Sequence, residues 1–189
     1  MYNTFPPCTI NHFYCAYPRG APRRVVIILG IDPGFQVTGY GIVKKEGPKS
    51  YLIDCGYLKM SSSKTLSCRT GIFYDFFKNK IVDMCITDIA LETPFLGKNA
   101  QNFLKLGYLR GILYLLADQH QLPLHEFSPT QVKSSLTGFG QASKEQVARV
   151  ILRLFPQLQA PDKTDVTDAI AVTLCGLWKT NNSLLARLK

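Results

Sequence analysis

The chain has 189 residues, of which 46% are hydrophobic, and its 22 lysine and arginine residues against 13 aspartate and glutamate residues give a net charge of +9. This length predicts one domain with a substantial core and excludes two of ordinary size. The positive charge favours an anionic partner, and nucleic acid before a membrane surface. Because no run of 18 apolar residues occurs, we expect no contact with a membrane through a spanning helix.

The six cysteines are scattered, form no C-x-x-C pair and have no zinc-ligand spacing with the three histidines. This usage favours a reducing, intracellular compartment, and we expect the protein in the cytoplasm.

Residues 1–24 differ from the rest of the chain, since they carry three arginines, no acidic residue and several prolines. We expect a flexible N-terminal tail here, one folded domain over 25–180 and a short C-terminal tail over 181–189. A mitochondrial presequence is an alternative, although the prolines would break its helix. An upstream start codon included in error is another.

Three strands are predicted at the start of the domain, over residues 25–31, 37–44 and 51–60. Pro33-Gly34 and the segment 46–49 supply turn residues between them. Short connections of this kind predict an antiparallel meander.

Helices and strands then alternate: we predict a helix over 66–81, a strand over 85–91 that ends in Glu92, a helix over about 99–119 and a strand over 124–127. This order predicts an α/β fold, with a mixed sheet covered by helices.

Two more helices are predicted to close the chain. Ser143 and Gln146 form a capping-box pattern before an apolar helix, and Pro156 and Pro161 interrupt the pattern after it. The last helix begins near Thr164, and its spacing of three places two aspartates, Asp165 and Asp168, on one face of the first turn.

Asp32 is the residue that most requires an explanation, because it directly follows a buried strand. A charge there is costly unless it is paired or binds a cation. Glu92, Asp165 and Asp168 would meet it if the two strand ends are neighbours. Like charges at such distances raise one another's pKa, and divalent cations relieve the repulsion. Carboxylate oxygens are the ligands of Mg²⁺, and a two-metal site supports phosphodiester hydrolysis.

Each acid also has an ordinary structural explanation. Asp165 and Asp168 would stabilise a helix N-terminus, Glu92 would be a solvated strand end, and Asp32 would form an Asx-turn before Pro33-Gly34.

Five segments together resemble the successive motifs of the RuvC family of Holliday-junction resolvases. They are LGIDPGFQVTGYGIV at 29–43, ETPFLGKN at 92–99, QVKSSLTGFG at 131–140, ASKEQV at 142–147 and DVTDAIA at 165–171. The resemblance covers about residues 27–178. It implies a ribonuclease-H-like fold with a mixed five-stranded sheet flanked by helices. It also implies a homodimer that makes paired symmetric nicks in a four-way DNA junction during recombination and repair.

By motif position, the resemblance makes Asp32, Glu92, Asp165 and Asp168 the catalytic, metal-binding carboxylates. It implies Mg²⁺ as the cofactor, two ions per active site, with Mn²⁺ as a substitute. It further implies a bacterial cytoplasmic enzyme and the RuvA–RuvB branch-migration complex as a partner. The helix with Phe103, Leu106, Leu109 and Leu113 is a candidate dimer interface.

Four residues are predicted to bind DNA. Phe95 and Lys98 lie on a loop bounded by Pro94, where an aromatic ring beside a cation suits unstacked junction bases; the alternative is that Phe95 fills the core. Lys133 and Lys144 match family positions near the DNA phosphates, where surface charge is the alternative. The start of the Ser143 helix offers backbone N–H groups to a phosphate.

Two positions depart from the family pattern. Phe35 stands where small polar residues are frequent, and Thr93-Pro94 stands where Gln-Val is familiar.

Three other functions remain open. Asp32-Pro-Gly34 resembles the phosphate loop of sugar kinases and actin-like ATPases, but those proteins need two such domains. A non-catalytic junction-binding protein would explain the charge, though not the acids. A nuclease of the same fold acting on RNA would use the same acids.

Overall fold

The computed structural model describes residues 25–94, 100–158 and 164–186, with side chains described as far as residue 180. The strands are β1 (Val25–Asp32), β2 (Val37–Glu46), β3 (Lys49–Lys59), β4 (Asp88–Glu92) and β5 (Leu124–Phe127). The helices are α1 (Leu66–Asp83), α2 (Ala100–Gln119), α3 (Pro129–Thr137), α4 (Lys144–Leu154) and α5 (Thr164–Ala186).

The five strands form one mixed sheet in the order β3-β2-β1-β4-β5. The first three strands pair antiparallel, while β4 lies parallel to β1 and to β5. The predicted α/β fold, a mixed five-stranded sheet flanked by helices, is confirmed.

The side chains of β1 alternate between the two faces of the sheet. Both faces are apolar, and helices cover both of them. Leu29 and Ile31 point into one core with the buried residues of α1 and α2. Ile28 points into the other core with those of α3, α4 and α5. The sheet is therefore the middle of three layers.

Helix α5 lies unusually close to the sheet because glycines in the strands leave room for it. A Cβ atom on Gly30 would lie 2.0 Å from Oγ1 of Thr173. The Thr173 hydroxyl donates a hydrogen bond to the main-chain oxygen of Gly41 at 3.1 Å. The middle of α5 is thereby held directly against β1 and β2.

Two sequence-based expectations about the elements were wrong. Helix α3 was not predicted, although Ser128 caps it and forms a capping box with Gln131; its only buried apolar residue is Val132, so the periodic signal is weak. Strand β4 begins at Asp88 and not at residue 85, because Cys85 has a positive φ of 50° and the chain is still turning out of α1.

The candidate interface helix also needs correction. Leu109 and Leu113 of α2 are fully buried in the protein's own core and are unavailable to a partner. Of the other two residues in that expectation, Phe103 is exposed and Leu106 is half-buried. Helix α2 also exposes Leu104, Tyr108 and Leu115. Across the described segments, no helix combines the length and hydropathy needed to span a bilayer.

Candidate active site

Asp32 and Glu92 end the neighbouring parallel strands β1 and β4. Ile31 is paired with Leu91 in the ladder between these strands, so the two acids that follow leave the sheet side by side. Both side chains are half-buried. The predicted meeting of Asp32 and Glu92 at one sheet edge is therefore present in the structure.

The first turn of α5 brings Asp165 and Asp168 to the same edge. Gly39 pairs with Asp32 across β1 and β2, and a Cβ atom on Gly39 would lie 2.0 Å from the main-chain oxygen of Asp165. Because Gly39 has no side chain, Asp165 lies next to the end of β1.

The electrostatics of Asp32 show that the four acids share one site. Burial raises the pKa of Asp32 to about 7, and the negative charges of Glu92, Asp168 and Asp165 add to this increase in that order. The positive charge of Lys144 opposes it. The carboxylates that the sequence placed together are thus close enough to influence one another's ionisation.

Glu92 is in a similar environment. Its pKa is raised by burial and then by the charge of Asp168, while Lys144 and Lys133 lower it. Lys133 on α3 therefore lies close enough to Glu92 to influence its ionisation.

Lys144 makes a direct ion pair within the site. Its Nζ lies 2.5 Å from Oδ2 of Asp168. The hydrogen bond to Asp168 raises the pKa of Lys144, so the ammonium group stays charged. The Lys144 side chain is 65% exposed and that of Asp168 is 18% exposed, so the lysine reaches in from the surface.

The donor set has the chemistry that Mg²⁺ requires, since four half-buried carboxylates offer oxygen ligands and an excess of negative charge. The side chains are not yet arranged around an ion. Among the residues described, no three acidic, histidine or cysteine side chains stand in a group that could hold a metal. The residues fit divalent cations chemically, and binding would require the carboxylates to turn towards one another.

A cavity of about 190 Å³ adjoins the acids. Asp32 and Glu92 line it on one side, and Leu106 and Arg110 of α2 line it on the other. A charged residue of α2 therefore lies at the site, which the sequence did not predict.

Arg110 is 8% exposed and makes three hydrogen bonds. It donates to the main-chain oxygen of Glu92 at 2.7 Å, to the Tyr114 hydroxyl at 2.9 Å and to Glu126 on β5. The available signal was its position between Leu109 and Leu113 on the apolar face of a predicted helix, where an unpartnered charge would be costly.

Phe35 lies three residues after Asp32, in the turn between β1 and β2, and two basic side chains lie close to its ring. The guanidinium of Arg69, a residue that is 6% exposed, lies 3.7 Å from the centre of the Phe35 ring and donates to the Phe35 main-chain oxygen. Lys105 lies 5.8 Å from the same ring. The departure at Phe35 thus has a structural role in fixing this turn.

Two further DNA contacts were predicted, one through Phe95 and Lys98 and one through the N-terminus of α4. Phe95 and Lys98 lie outside the described residues. At the start of α4, the Ser143 hydroxyl accepts from the Gln146 N–H, and the Gln146 side chain accepts from the Ser143 N–H. The capping box therefore occupies two of the N–H groups that were expected to be open to a phosphate.

Comparison with known proteins gives one consistent family. The family model for the crossover junction endodeoxyribonuclease RuvC matches residues 28–176. RuvC of Pelodictyon phaeoclathratiforme is 41% identical over 154 residues, which is 82% of this chain and 81% of that relative. RuvC of Prosthecochloris aestuarii is 42% identical over 153 residues, or 80% of this chain and 81% of the relative.

The solved structure of T. thermophilus RuvC in complex with Holliday junction substrate is also similar, with a TM-score of 0.78 and 26% identity, and the match covers 84% of this chain and 97% of that one. The predicted family and fold are both confirmed. The chain belongs to the crossover junction endodeoxyribonuclease RuvC family.

Proposed function

We propose that this protein cuts four-way DNA junctions by metal-dependent hydrolysis of two symmetry-related phosphodiester bonds. The observation that carries the proposal is the meeting of Asp32, Glu92, Asp165 and Asp168 at the ends of β1 and β4. A family member of similar structure has been solved with a Holliday junction. We place the activity in the cytoplasm, where recombination and repair would use it.

The four carboxylates are the proposed ligands of the cofactor, which we take to be two Mg²⁺ ions with Mn²⁺ as a substitute. When bound, such ions would activate water and stabilise the charge that develops on the scissile phosphate. The half-buried position of Asp32 and Glu92 strengthens their attraction for cations, because charges are screened less there than in water.

Lys144 has a second role in this proposal. Its ammonium group is bonded to Asp168 and has to leave that carboxylate before the carboxylate turns towards a cation. The ammonium group would then lie beside the scissile phosphate. A positive charge there stabilises the transition state more than the ground state.

DNA binding would extend outward from these acids. Lys133 is close enough to lower the pKa of Glu92, so it lies within reach of a phosphate bound at the site. Phe95 and Lys98 remain proposed contacts for unstacked junction bases. The RuvA–RuvB branch-migration complex likewise remains a proposed partner.

A homodimer would supply the second active site that paired nicking requires. Leu104, Tyr108, Gly111 and Leu115 recur at spacings of four, three and four along α2, which places them on one stripe of the helix. The three large side chains are 41–56% exposed, and the glycine permits close approach. We propose that two copies pack through this stripe.

Cleavage of a synthetic four-way junction, compared with linear duplex and RNA duplex of the same sequence, tests the proposal. We expect paired nicks near the crossover with Mg²⁺ and none with EDTA. Asp32→Asn should bind the junction and not cut it, because the substitution removes a charge with little change in shape. Equal cutting of linear DNA or RNA would overturn the substrate assignment, and a fully active Asp32→Asn protein would overturn the site.

A further inference from the structure

We propose that Arg110 is a positioning residue for the Glu92 carboxylate, acting through the main chain of β4. This inference rests on the proposed role of Glu92 and adds a residue on α2 to the machinery of the site. Arg110 contacts neither the substrate nor the reacting atoms in this role. It fixes the position of Glu92 at the end of β4.

The first support is the contact itself. Glu92 is the last residue of β4, and Nη1 of Arg110 donates to its main-chain oxygen at 2.7 Å. Because the guanidinium group is charged, this hydrogen bond is stronger than one between neutral groups and holds the end of the strand firmly. The oxygen belongs to the same residue as the proposed ligand.

The second support is that Arg110 is itself held in place. Its Nη2 donates to the Tyr114 hydroxyl at 2.9 Å and to the carboxylate of Glu126. Tyr114 donates in turn to Glu126 at 2.8 Å. The rigid, planar guanidinium group is thus fixed by partners on α2 and β5, and it has little freedom to move away from Glu92.

The third support lies on the other side of Glu92. The Thr93 N–H donates to the main-chain oxygen of Phe127 at 2.8 Å, and Phe127 is the partner of Glu92 in the ladder with β5. The main chain is therefore held after Glu92 by β5 and at Glu92 by Arg110. Loss of Arg110 would remove one of these two restraints on the main chain of Glu92 and Thr93.

The consequence is specific to metal binding and catalysis. The carboxylates have to turn towards one another to bind a cation, so a Glu92 backbone that drifts weakens the site. A displacement of about 1 Å is enough to slow a reaction roughly 100-fold. Phosphate contacts made by basic side chains elsewhere on the surface supply a large share of the affinity for DNA, and the loss of Arg110 leaves them unchanged.

The test compares Arg110→Met and Arg110→Lys with wild type and with Lys80→Met. Lys80 is a suitable control, because its Nζ lies 2.5 Å from Asp54 in another half-buried ion pair and neither residue borders the acidic site. Mn²⁺ affinity is measured by electron paramagnetic resonance. Junction affinity is measured in EDTA. Cleavage is measured at a saturating concentration of junction over a Mg²⁺ titration.

For Arg110→Met we expect Mn²⁺ affinity to fall roughly 10-fold and cleavage roughly 10- to 100-fold, with junction affinity within about twofold of wild type. Arg110→Lys should lie between, since one ammonium group cannot span Glu92 and Glu126 together. Lys80→Met should lose stability only. If Arg110→Met fails to fold, Arg110→Lys decides by the same measurements.

An Arg110 variant that is folded and has wild-type Mn²⁺ affinity and wild-type cleavage would overturn the inference. Failure of the proposed function would look different, because wild type and Lys80→Met would then also leave the junction uncut. The Mn²⁺ measurement needs no cleavage, so it reports on Glu92 in either case.

Discussion

A Cβ atom on Gly39 would lie 2.0 Å from the main-chain oxygen of Asp165, so the first turn of α5 rests directly on β2. Gly39→Ala should therefore push α5 away from the sheet and separate Asp165 from Asp32. We expect unfolding free energy to fall by roughly 1–3 kcal/mol and cleavage to fall roughly 10- to 100-fold. Thermal unfolding and junction cleavage measure the two effects.

Gly71→Ala is the matched control for this substitution. Gly71 lies exposed on α1, and a Cβ atom there would meet nothing within 4 Å. Alanine should stabilise this helix by roughly 0.5–1 kcal/mol and leave cleavage unchanged. A Gly39→Ala protein with the stability and activity of wild type would contradict the packing argument.

Much of this architecture could be predicted from the sequence, because its determinants are local. The meander follows from turn residues between short apolar runs, and the position of Asp32 and Glu92 follows from charges at the ends of buried strands. Asp165 and Asp168 share a helical turn by spacing alone. These patterns need no knowledge of distant contacts.

The remaining features depend on tertiary contacts. Arg110 and Glu126 lie 16 residues apart, and nothing in either local segment states that they pair or that Arg110 reaches Glu92. Phe35 and Arg69 are separated by 34 residues. The weakly periodic helix α3 was missed for another reason, since its capping box was present in the sequence but only Val132 on it is buried.

Asp32 should make the metal-free protein less stable as pH rises. Its pKa is about 7 in the folded protein, against 3.8 for an unperturbed aspartate. The folded state therefore keeps a proton that the unfolded chain releases, and this stabilisation is complete below pH 3.8 and lost as pH rises through 7. The asparagine in Asp32→Asn does not titrate. The unfolding free energy of this variant, relative to that of wild type, should therefore rise by about 2–3 kcal/mol between pH 5 and pH 8.

Denaturant unfolding in EDTA measures this difference, and Mg²⁺ supplies the control. Added Mg²⁺ at pH 8 should stabilise wild type more than Asp32→Asn, because it binds the folded state through the acids. A difference between the two proteins that stays constant from pH 5 to pH 8 would contradict the buried, repelled position of Asp32.

Lys144 should weaken cation binding while it assists cleavage. Its ammonium group lies 2.5 Å from Asp168, so it competes with a cation for that carboxylate. Lys144→Met should bind Mn²⁺ several-fold more tightly at pH 8, because one positive charge is gone, and should cut the junction roughly 100-fold more slowly. Arg149→Met, exposed on the same helix, should change neither. Weaker Mn²⁺ binding by Lys144→Met would contradict the competition.

Junction binding should depend steeply on salt, because phosphate contacts release counterions. The excess of lysine and arginine gives the net charge of +9, and Lys133, the one basic residue of α3, is close enough to the acidic site to lower the pKa of Glu92. Lys133→Ala should reduce the slope of log affinity against log salt by about 1. Lys49→Ala, on the edge strand β3, should leave the slope unchanged. Equal slopes for wild type and Lys133→Ala would remove Lys133 from the DNA contacts.

The stripe on α2 predicts the behaviour of a dimer-deficient protein. Leu104 and Leu115 are 56% and 49% exposed, and burying a leucine contributes roughly 1.5–3 kcal/mol. The double variant Leu104→Glu/Leu115→Glu should lose this contribution at both ends of the stripe and place like charges opposite each other in the dimer. Sedimentation should then show monomers at concentrations where wild type is dimeric, and junctions should be nicked singly and not in pairs. Leu154→Glu is the control, because Leu154 is 47% exposed on α4 and away from the stripe. A double variant that remains dimeric would assign the interface to another face of the molecule.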